Sequence, residues 1–298
     1  MSHTDPPTEL SAGARLRAAM DAERPLQIVG TINPFCALLA ERAGFRAIYL
    51  SGAGVANATL GLPDLGVISP NDVVAEAAKI TAATSLPLLV DCDAGWGSEL
   101  TIQRVIRDLC RVGVAGVHIE DQISTKRCGH RPGKRLVDRE EMGARISAAV
   151  QARTDPSFLI MARTDAYGVT GLEDALERSQ YYISVGADAI FAEAMTDIAE
   201  YKTFTQSLQV PVLANMTEFG KTPLFDREQL HNAGVAIVLY PLSAFRAMNA
   251  AATHVYSTIR EQGSQRAVLS SMQTRDELYQ ILGYYEQESN LNSVQSDE

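Results

Sequence analysis

Glu99-Leu100-Thr101-Ile102-Gln103-Arg104-Val105-Ile106-Arg107-Asp108-Leu109-Cys110-Arg111-Val112-Gly113 runs into Val114-Ala115-Gly116-Val117-His118-Ile119-Glu120-Asp121. The first part is amphipathic and of helical length, and Gly113 stands where such a helix stops. The second part is a short, continuously apolar run, as in a parallel strand buried on both faces, and it ends in carboxylates. One helix followed by one buried strand is a repeating unit, and the rest of the chain repeats it.

Further apolar, β-branched runs fall at 26–30, 47–51, 86–91, 158–163, 189–193, 210–215 and 236–240. Amphipathic stretches at 71–83, 139–152, 172–185 and 244–260 lie between or after them. Gly44 and Gly186 repeat the stop signal of Gly113, and Ser69-Pro70 and Asp155-Pro156 read as helix starts or turns. Eight strands alternating with helices predict an α/β chain folded as a (β/α)8 TIM barrel with C-terminal helices. A doubly wound open sheet is the alternative. It would carry a Gly-x-Gly-x-x-Gly turn after its first strand, where this chain has Gly30-Thr31-Ile32-Asn33-Pro34. The expected organisation is one domain over 12–288, with frayed ends at 1–11 and 289–298. The helical pattern at 274–288 exceeds the barrel's needs and is expected to pack on the barrel or on a partner subunit.

The 298 residues carry a formal net charge of -10, which argues against a general nucleic-acid or anionic-membrane binder. No run of about 18 apolar residues suggests a membrane span. The first twelve residues lack the apolar core of a signal peptide. Four scattered cysteines without a Cys-x-x-Cys pair fit free thiols in a reducing cytoplasm.

Local charge tells a different story. Lys126-Arg127-Cys128-Gly129-His130-Arg131 surrounds one thiol with cations, which favours the thiolate and suits an anionic substrate. In a barrel, catalytic groups sit where strands end. Strand ends here carry Tyr49 and Ser51; Asp91 and Asp93; His118, Glu120 and Asp121; Arg163 and Asp165; Glu193; Asn215 and Thr217; and Tyr240. Asp91 and Asp93 share one face of an extended chain, and with Glu120 they offer hard oxygen ligands suited to Mg2+ or Mn2+. The other reading pairs Glu120 with Arg163. Arg163 is a candidate carboxylate clamp or the ion-pair partner of Glu193 or Asp165. Arg246 carries the same two readings. The loops after the seventh and eighth strands hold only Gly220, so a backbone phosphate cradle is not expected.

The segment Lys126-Arg127-Cys128-Gly129-His130-Arg131-Pro132 resembles the signature loop of the isocitrate lyase and phosphoenolpyruvate mutase superfamily. Arg127 and Arg131-Pro132 resemble most the branch that cleaves 2-methylisocitrate. So do Tyr49-Leu50-Ser51-Gly52, Gly61-Leu62-Pro63-Asp64-Leu65-Gly66, Leu224-Phe225 and the run from Tyr240 to Asn249. The resemblance covers residues 10 to 288. It implies a barrel whose last helix is swapped between subunits of a homotetramer. It also implies Mg2+-dependent cleavage of a small tricarboxylate to pyruvate and succinate, in propionate catabolism. By position it makes Cys128 the catalytic cysteine, Asp91 and Asp93 the metal ligands, and Asp64, His118 and Glu120 contacts around the metal. It puts Ser51, Gly52, Ala53, Gly129, Arg163, Glu193, Asn215, Thr217, Arg246 and Arg275 at the substrate. Cys128 is expected to protonate the departing carbanion, and Tyr49, a phenol near the carboxylates, to act as forward base. Ala53, Cys92, Ala94 and Trp96 depart from commoner residues, which bears on substrate preference. A loop that closes over substrate must move, so this one is expected to be mobile or poorly ordered without ligand.

Overall fold

The computed structural model describes residues 10–296. Its strands are β1 (Leu26–Gly30), β2 (Ala47–Leu50), β3 (Leu88–Asp91), β4 (Gly116–Glu120), β5 (Leu159–Thr164), β6 (Ala189–Ala192), β7 (Val212–Asn215) and β8 (Ile237–Tyr240). All pair in parallel in chain order, and β1 closes on β8 through Leu26 opposite Ile237. The predicted TIM barrel is therefore the fold. Strand starts differ from the sequence reading for a chemical reason. Pro87 and Pro211 have no N–H to give a ladder, so β3 and β7 begin just after them.

Helices α1 (Ala12–Ala22), α2 (Pro34–Arg42), α3 (Pro70–Thr81), α4 (Glu99–Arg111), α5 (Arg139–Ala152), α6 (Leu172–Ser184), α7 (Ile198–Gln206) and α8 (Arg227–Asn232) flank or connect the strands. Ser69 and Asp72 form a reciprocal capping box at the start of α3, with Pro70 in the first turn. Gly44, Gly113 and Gly186 end α2, α4 and α6 with φ of 88°, 81° and 112°, a backbone region that favours glycine.

Alternation along each strand sorts the side chains into two cores. Ile48, Val90, Val117, Ile119, Ile160, Ala162, Ile190, Val212 and Val238 point outward and pack with the helices. Leu26, Ile28, Ala47, Tyr49, Leu89, Leu159, Met161, Phe191, Leu213 and Leu239 fill the barrel, and Leu16 and Ala19 of α1 join them.

The barrel belongs to a compact unit that ends at Phe245; a second unit begins at Arg246. Helix α9 (Ser243–Gln262) leads into the second unit, which also holds α10 (Arg275–Leu282) and α11 (Tyr284–Ser296). The helix predicted over 274–288 is two helices, because Gly283 takes φ 65° and caps α10. Helical structure continues through Ser296, where the sequence reading places a frayed tail. Ser11 caps α1, and residues 1–9 of the expected frayed start lie outside the described residues.

Closure of β1 on β8 leaves no room at Gly30, where an added Cβ would sit 1.7 Å from the Pro241 carbonyl oxygen. Gly30→Ala should cost about 3 kcal/mol or more in urea denaturation. Gly54→Ala, which meets nothing closer than 3.4 Å, should stay within about 1 kcal/mol of wild type.

Candidate active site

The inward positions that hold Leu89, Met161, Phe191 and Leu213 in the barrel become polar at the C-terminal rim. One step further along the same faces come Asp91 and Asp93, His118 and Glu120, Arg163, Glu193, and Asn215 and Thr217. Ser51 follows Tyr49 in the same way. Each of these rim residues is buried.

Asp91 accepts backbone N–H groups from Gly52 (3.0 Å) and Asp93 (2.9 Å). Burial works to raise its pKa, but His118, Lys126 and Arg163 outweigh burial and hold it at about 2. Asp93 behaves oppositely. Burial and the neighbouring Asp91 and Asp64 charges raise it to about 7, against the pull of Lys126. Its φ of 45° places a non-glycine residue in the left-handed region, a local strain at the site. The Lys126 ammonium lies 2.6 Å from Asp93 Oδ1 and 2.8 Å from Asp64 Oδ1. Asp93 Oδ2 and Glu120 Oε1 are buried with no hydrogen-bond partner. Burial above all raises the Glu120 carboxyl well above its usual range.

Two carboxylates with orphaned oxygens fit a Mg2+ ion, which keeps several waters and takes few protein ligands. Among the described residues no three His, Cys, Asp or Glu side chains are grouped to hold a metal ion.

His118 stands beside Asp91, with Nε2 2.8 Å from the Tyr49 hydroxyl and 3.6 Å from Asp91 Oδ1. Burial lowers its pKa to about 4, so the imidazole is neutral at pH 7. Burial, reinforced by Asp91, pushes the Tyr49 phenol well above its ordinary value. An isolated Tyr49 phenolate is therefore disfavoured, and the expectation of Tyr49 as a lone base needs its imidazole partner.

Of the two sequence readings of Arg163, the structure shows the ion pair. The guanidinium meets Asp165 Oδ2 at 3.0 Å, Glu193 Oε2 at 3.0 Å and Glu120 Oε2 at 3.4 Å. Burial would raise Glu193, but Arg163, His130 and Lys134 overcome it and hold that carboxyl well below the usual range. His130 Nε2 lies 2.8 Å from Glu193 Oε1, while its Nδ1 accepts the Lys221 N–H at 3.0 Å. The proton is thus on Nε2, facing Glu193. Asn215 Nδ2 also reaches Glu193, at 3.4 Å from Oε1.

The loop is docked at Lys126, Gly129 and His130, because buried carboxylates below attract its cations, while its cysteine stays exposed. A Cβ at Gly129 would lie 2.4 Å from Arg163 Nη2 and 2.6 Å from Glu193 Cγ, so only glycine fits this contact. Cys128 remains exposed and opens on a cleft lined by Pro63, Asp64, Leu65, Arg127, Arg131 and Pro132. Gly52 packs on the metal-candidate aspartates, with Ala53 half-buried beside it. Arg246 and Arg275 belong to the second unit, where both are exposed. Their assignment to substrate rests on the resemblance.

Sequence reasoning missed the pairing roles of Lys126 and Lys134. Lys134 Nζ meets Asp165 Oδ1 at 2.8 Å, and both groups are buried. Their signal was present: lysines in a loop directly above strand-end carboxylates. Asp121 is on the outward side of its strand. It accepts from Thr164, Tyr182 and the Asp165 N–H, and so supports the barrel wall.

The family model described as phosphoenolpyruvate phosphomutase matches residues 16–260. The chain belongs to this family. Among curated relatives, 2-methylisocitrate lyase of Shewanella oneidensis is 56% identical, covering 97% of this chain and 99% of its own. The protein of the same name from Escherichia coli is 55% identical over 95% of this chain and 96% of its own. Among solved structures, a 2,3-dimethylmalate lyase, described as a superfamily member, has TM-score 0.87 at 33% identity and covers 94% of each chain. A phosphonopyruvate hydrolase in complex with oxalate and Mg++ has TM-score 0.82 at 28% identity, covering 94% of this chain and 98% of its own.

Removing Arg163 leaves Glu193 and Glu120 buried without their main counter-charge and Asp165 with Lys134 alone. Arg163→Met should lose about 3–5 kcal/mol in urea denaturation at about pH 8. The Glu193 pKa, depressed in wild type, stabilises the fold above its unfolded value and ceases to do so as pH falls through the folded one. In the variant that pKa rises, so the deficit should narrow as pH falls below the unfolded carboxylate range, to about pH 3.

Proposed function

We propose that the protein is a Mg2+-dependent carbon–carbon lyase that cleaves 2-methylisocitrate to pyruvate and succinate. The observation that carries this reading is a docked Lys126-Arg127-Cys128-Gly129-His130 loop directly over the Asp91/Asp93 pair and the Arg163–Glu193 pair. That arrangement joins a cation site, an anion clamp and an acid on one loop. The names of the most similar curated relatives agree with it.

Asp91 and Asp93 would hold the Mg2+, with Asp64, His118 and Glu120 around it; Mn2+ is a second ion with the same ligand preference. When bound, the metal supplies a Lewis acid that polarises the substrate's hydroxyl and adjacent carboxylate.

The chain's own groups then divide the work. Arg163, backed by Glu193, neutralises a substrate carboxylate. Ser51, Gly52, Ala53, Gly129, Asn215 and Thr217 line the substrate and fix its orientation. The Tyr49–His118 pair takes the proton of the C2 hydroxyl. The phenol alone is a poor base, but neutral His118 at 2.8 Å can accept its proton. As the C2–C3 bond breaks, its electrons pass to the succinate carbon, and Cys128 donates the proton that quenches that carbanion. In the reverse direction the thiolate is the base.

No helix among the described residues is long and apolar enough to cross a membrane. A cytoplasmic homotetramer with an exchanged helix is the proposed setting, on the strength of the resemblance.

Pyruvate release from 2-methylisocitrate, isocitrate, 2,3-dimethylmalate and oxaloacetate, followed by a coupled dehydrogenase, tests the assignment. The first should be the fastest substrate and should need Mg2+. Faster turnover of another, or full activity in EDTA, would overturn it. Cys128→Ser should retain the fold and lose about 10^2- to 10^4-fold in kcat.

A further inference from the structure

We propose that Gln122 is a positioning residue for the lyase reaction, holding the peptide beside Cys128 in register over the site. Gln122 follows the end of β4 and is 1% exposed. Its side-chain amide makes two bonds to one residue of the loop. Nε2 donates to the Arg127 carbonyl oxygen at 2.8 Å, and Oε1 accepts the Arg127 N–H at 3.1 Å. The pair reproduces a two-point strand contact using a side chain. A polar amide buried this fully is costly unless both its ends are satisfied, so the geometry is strongly specified.

The support beneath Gln122 is equally fixed. Its carbonyl accepts from Arg145 Nη1 at 2.8 Å, and the same nitrogen reaches the Glu120 carbonyl at 3.2 Å. Gln122 pairs in antiparallel fashion with Leu136, and the Ile123 N–H donates to the Arg135 carbonyl at 3.0 Å. The neck of the loop is therefore closed at 122–136, and the amide ties its centre to that neck. Lys126 and Cys128 flank the tethered Arg127, so the tether sets where the ammonium and the thiol arrive. Gln122 itself touches neither of the reacting groups assigned above.

The inference rests on the lyase reading for its kinetic arm and stands apart from it in a second arm. In Gln122→Met, of similar size, both bonds vanish. We expect kcat on 2-methylisocitrate to fall about tenfold or more with KM within about twofold, since loop placement serves the bond-breaking step. In Gln122→Glu the carboxylate still accepts the Arg127 N–H but repels the Arg127 carbonyl. Its protonated form is isosteric with the amide and regains the donor. Turnover of Gln122→Glu relative to Gln122→Met should thus climb as pH drops from about 8 to about 5.5.

The second arm is limited trypsinolysis of the native protein, with the Arg127–Cys128 cut read by mass spectrometry. Its rate should increase about tenfold in Gln122→Met, with the thermal midpoint within a few degrees of wild type. Wild-type kcat and wild-type cleavage in Gln122→Met would overturn the proposal. So would a fall in kcat accompanied by global destabilisation that the acidic shift in Gln122→Glu does not relieve. If wild type itself fails to cleave 2-methylisocitrate while the trypsin contrast appears, the lyase reading fails and the tether stands.

Discussion

The structure depends on balancing the charge of carboxylates buried inside a barrel mouth. Asp91, Asp93, Glu120 and Glu193 are all nearly inaccessible to water. An unpaired buried carboxylate costs several kcal/mol, so four near one another need counter-charges that are equally buried. Lys126 and Arg163 provide them, one from the loop after β4 and one from the barrel wall. Burial presses both carboxyls upward; His118, Lys126 and Arg163 hold Asp91 at about 2, while Asp93, beside the Asp91 and Asp64 charges, is raised to about 7 in spite of Lys126. The first has backbone donors as well as cations; the second sits between two other acids.

That division gives the site its chemistry. Arg163 cannot leave, because β5 carries it and Asp165, itself held by Lys134, braces it from the side. Lys126 is carried by the loop instead, held there by its ion pairs to Asp93 and Asp64. The resting loop therefore acts as a provisional cation over Asp93 and Asp64, in the place where a divalent ion and a polyanionic substrate would supply and consume charge. His130 ties the same loop to Glu193 and to the backbone at Lys221.

Much of this was legible in the sequence, because strand alternation has a strict period of two. Once Leu89, Met161 and Phe191 point inward, Asp91, Arg163 and Glu193 must as well. The barrel, its stop glycines and its polar rim follow from that rule. Other features do not have a local signature. Whether Arg163 pairs with Asp165 or Glu193 depends on β5 meeting β6, and it does both. The broken helix at Gly283 needed a left-handed cap that a continuous apolar pattern conceals. The Lys126 and Gln122 contacts depend on how a loop folds back, which no periodicity encodes. Arg246 and Arg275 owe their assignment to family position alone.

The most direct test of this account is the effect of Mg2+ on the thermal midpoint of wild type, Lys126→Met and Asp93→Asn without substrate. If Lys126 is the resting counter-charge of a cation site, Mg2+ should raise the midpoint of wild type and raise that of Lys126→Met further, because the metal relieves carboxylates that have lost their ammonium. Asp93→Asn should show almost no shift. An equal or smaller shift in Lys126→Met, or a full shift in Asp93→Asn, would contradict the account.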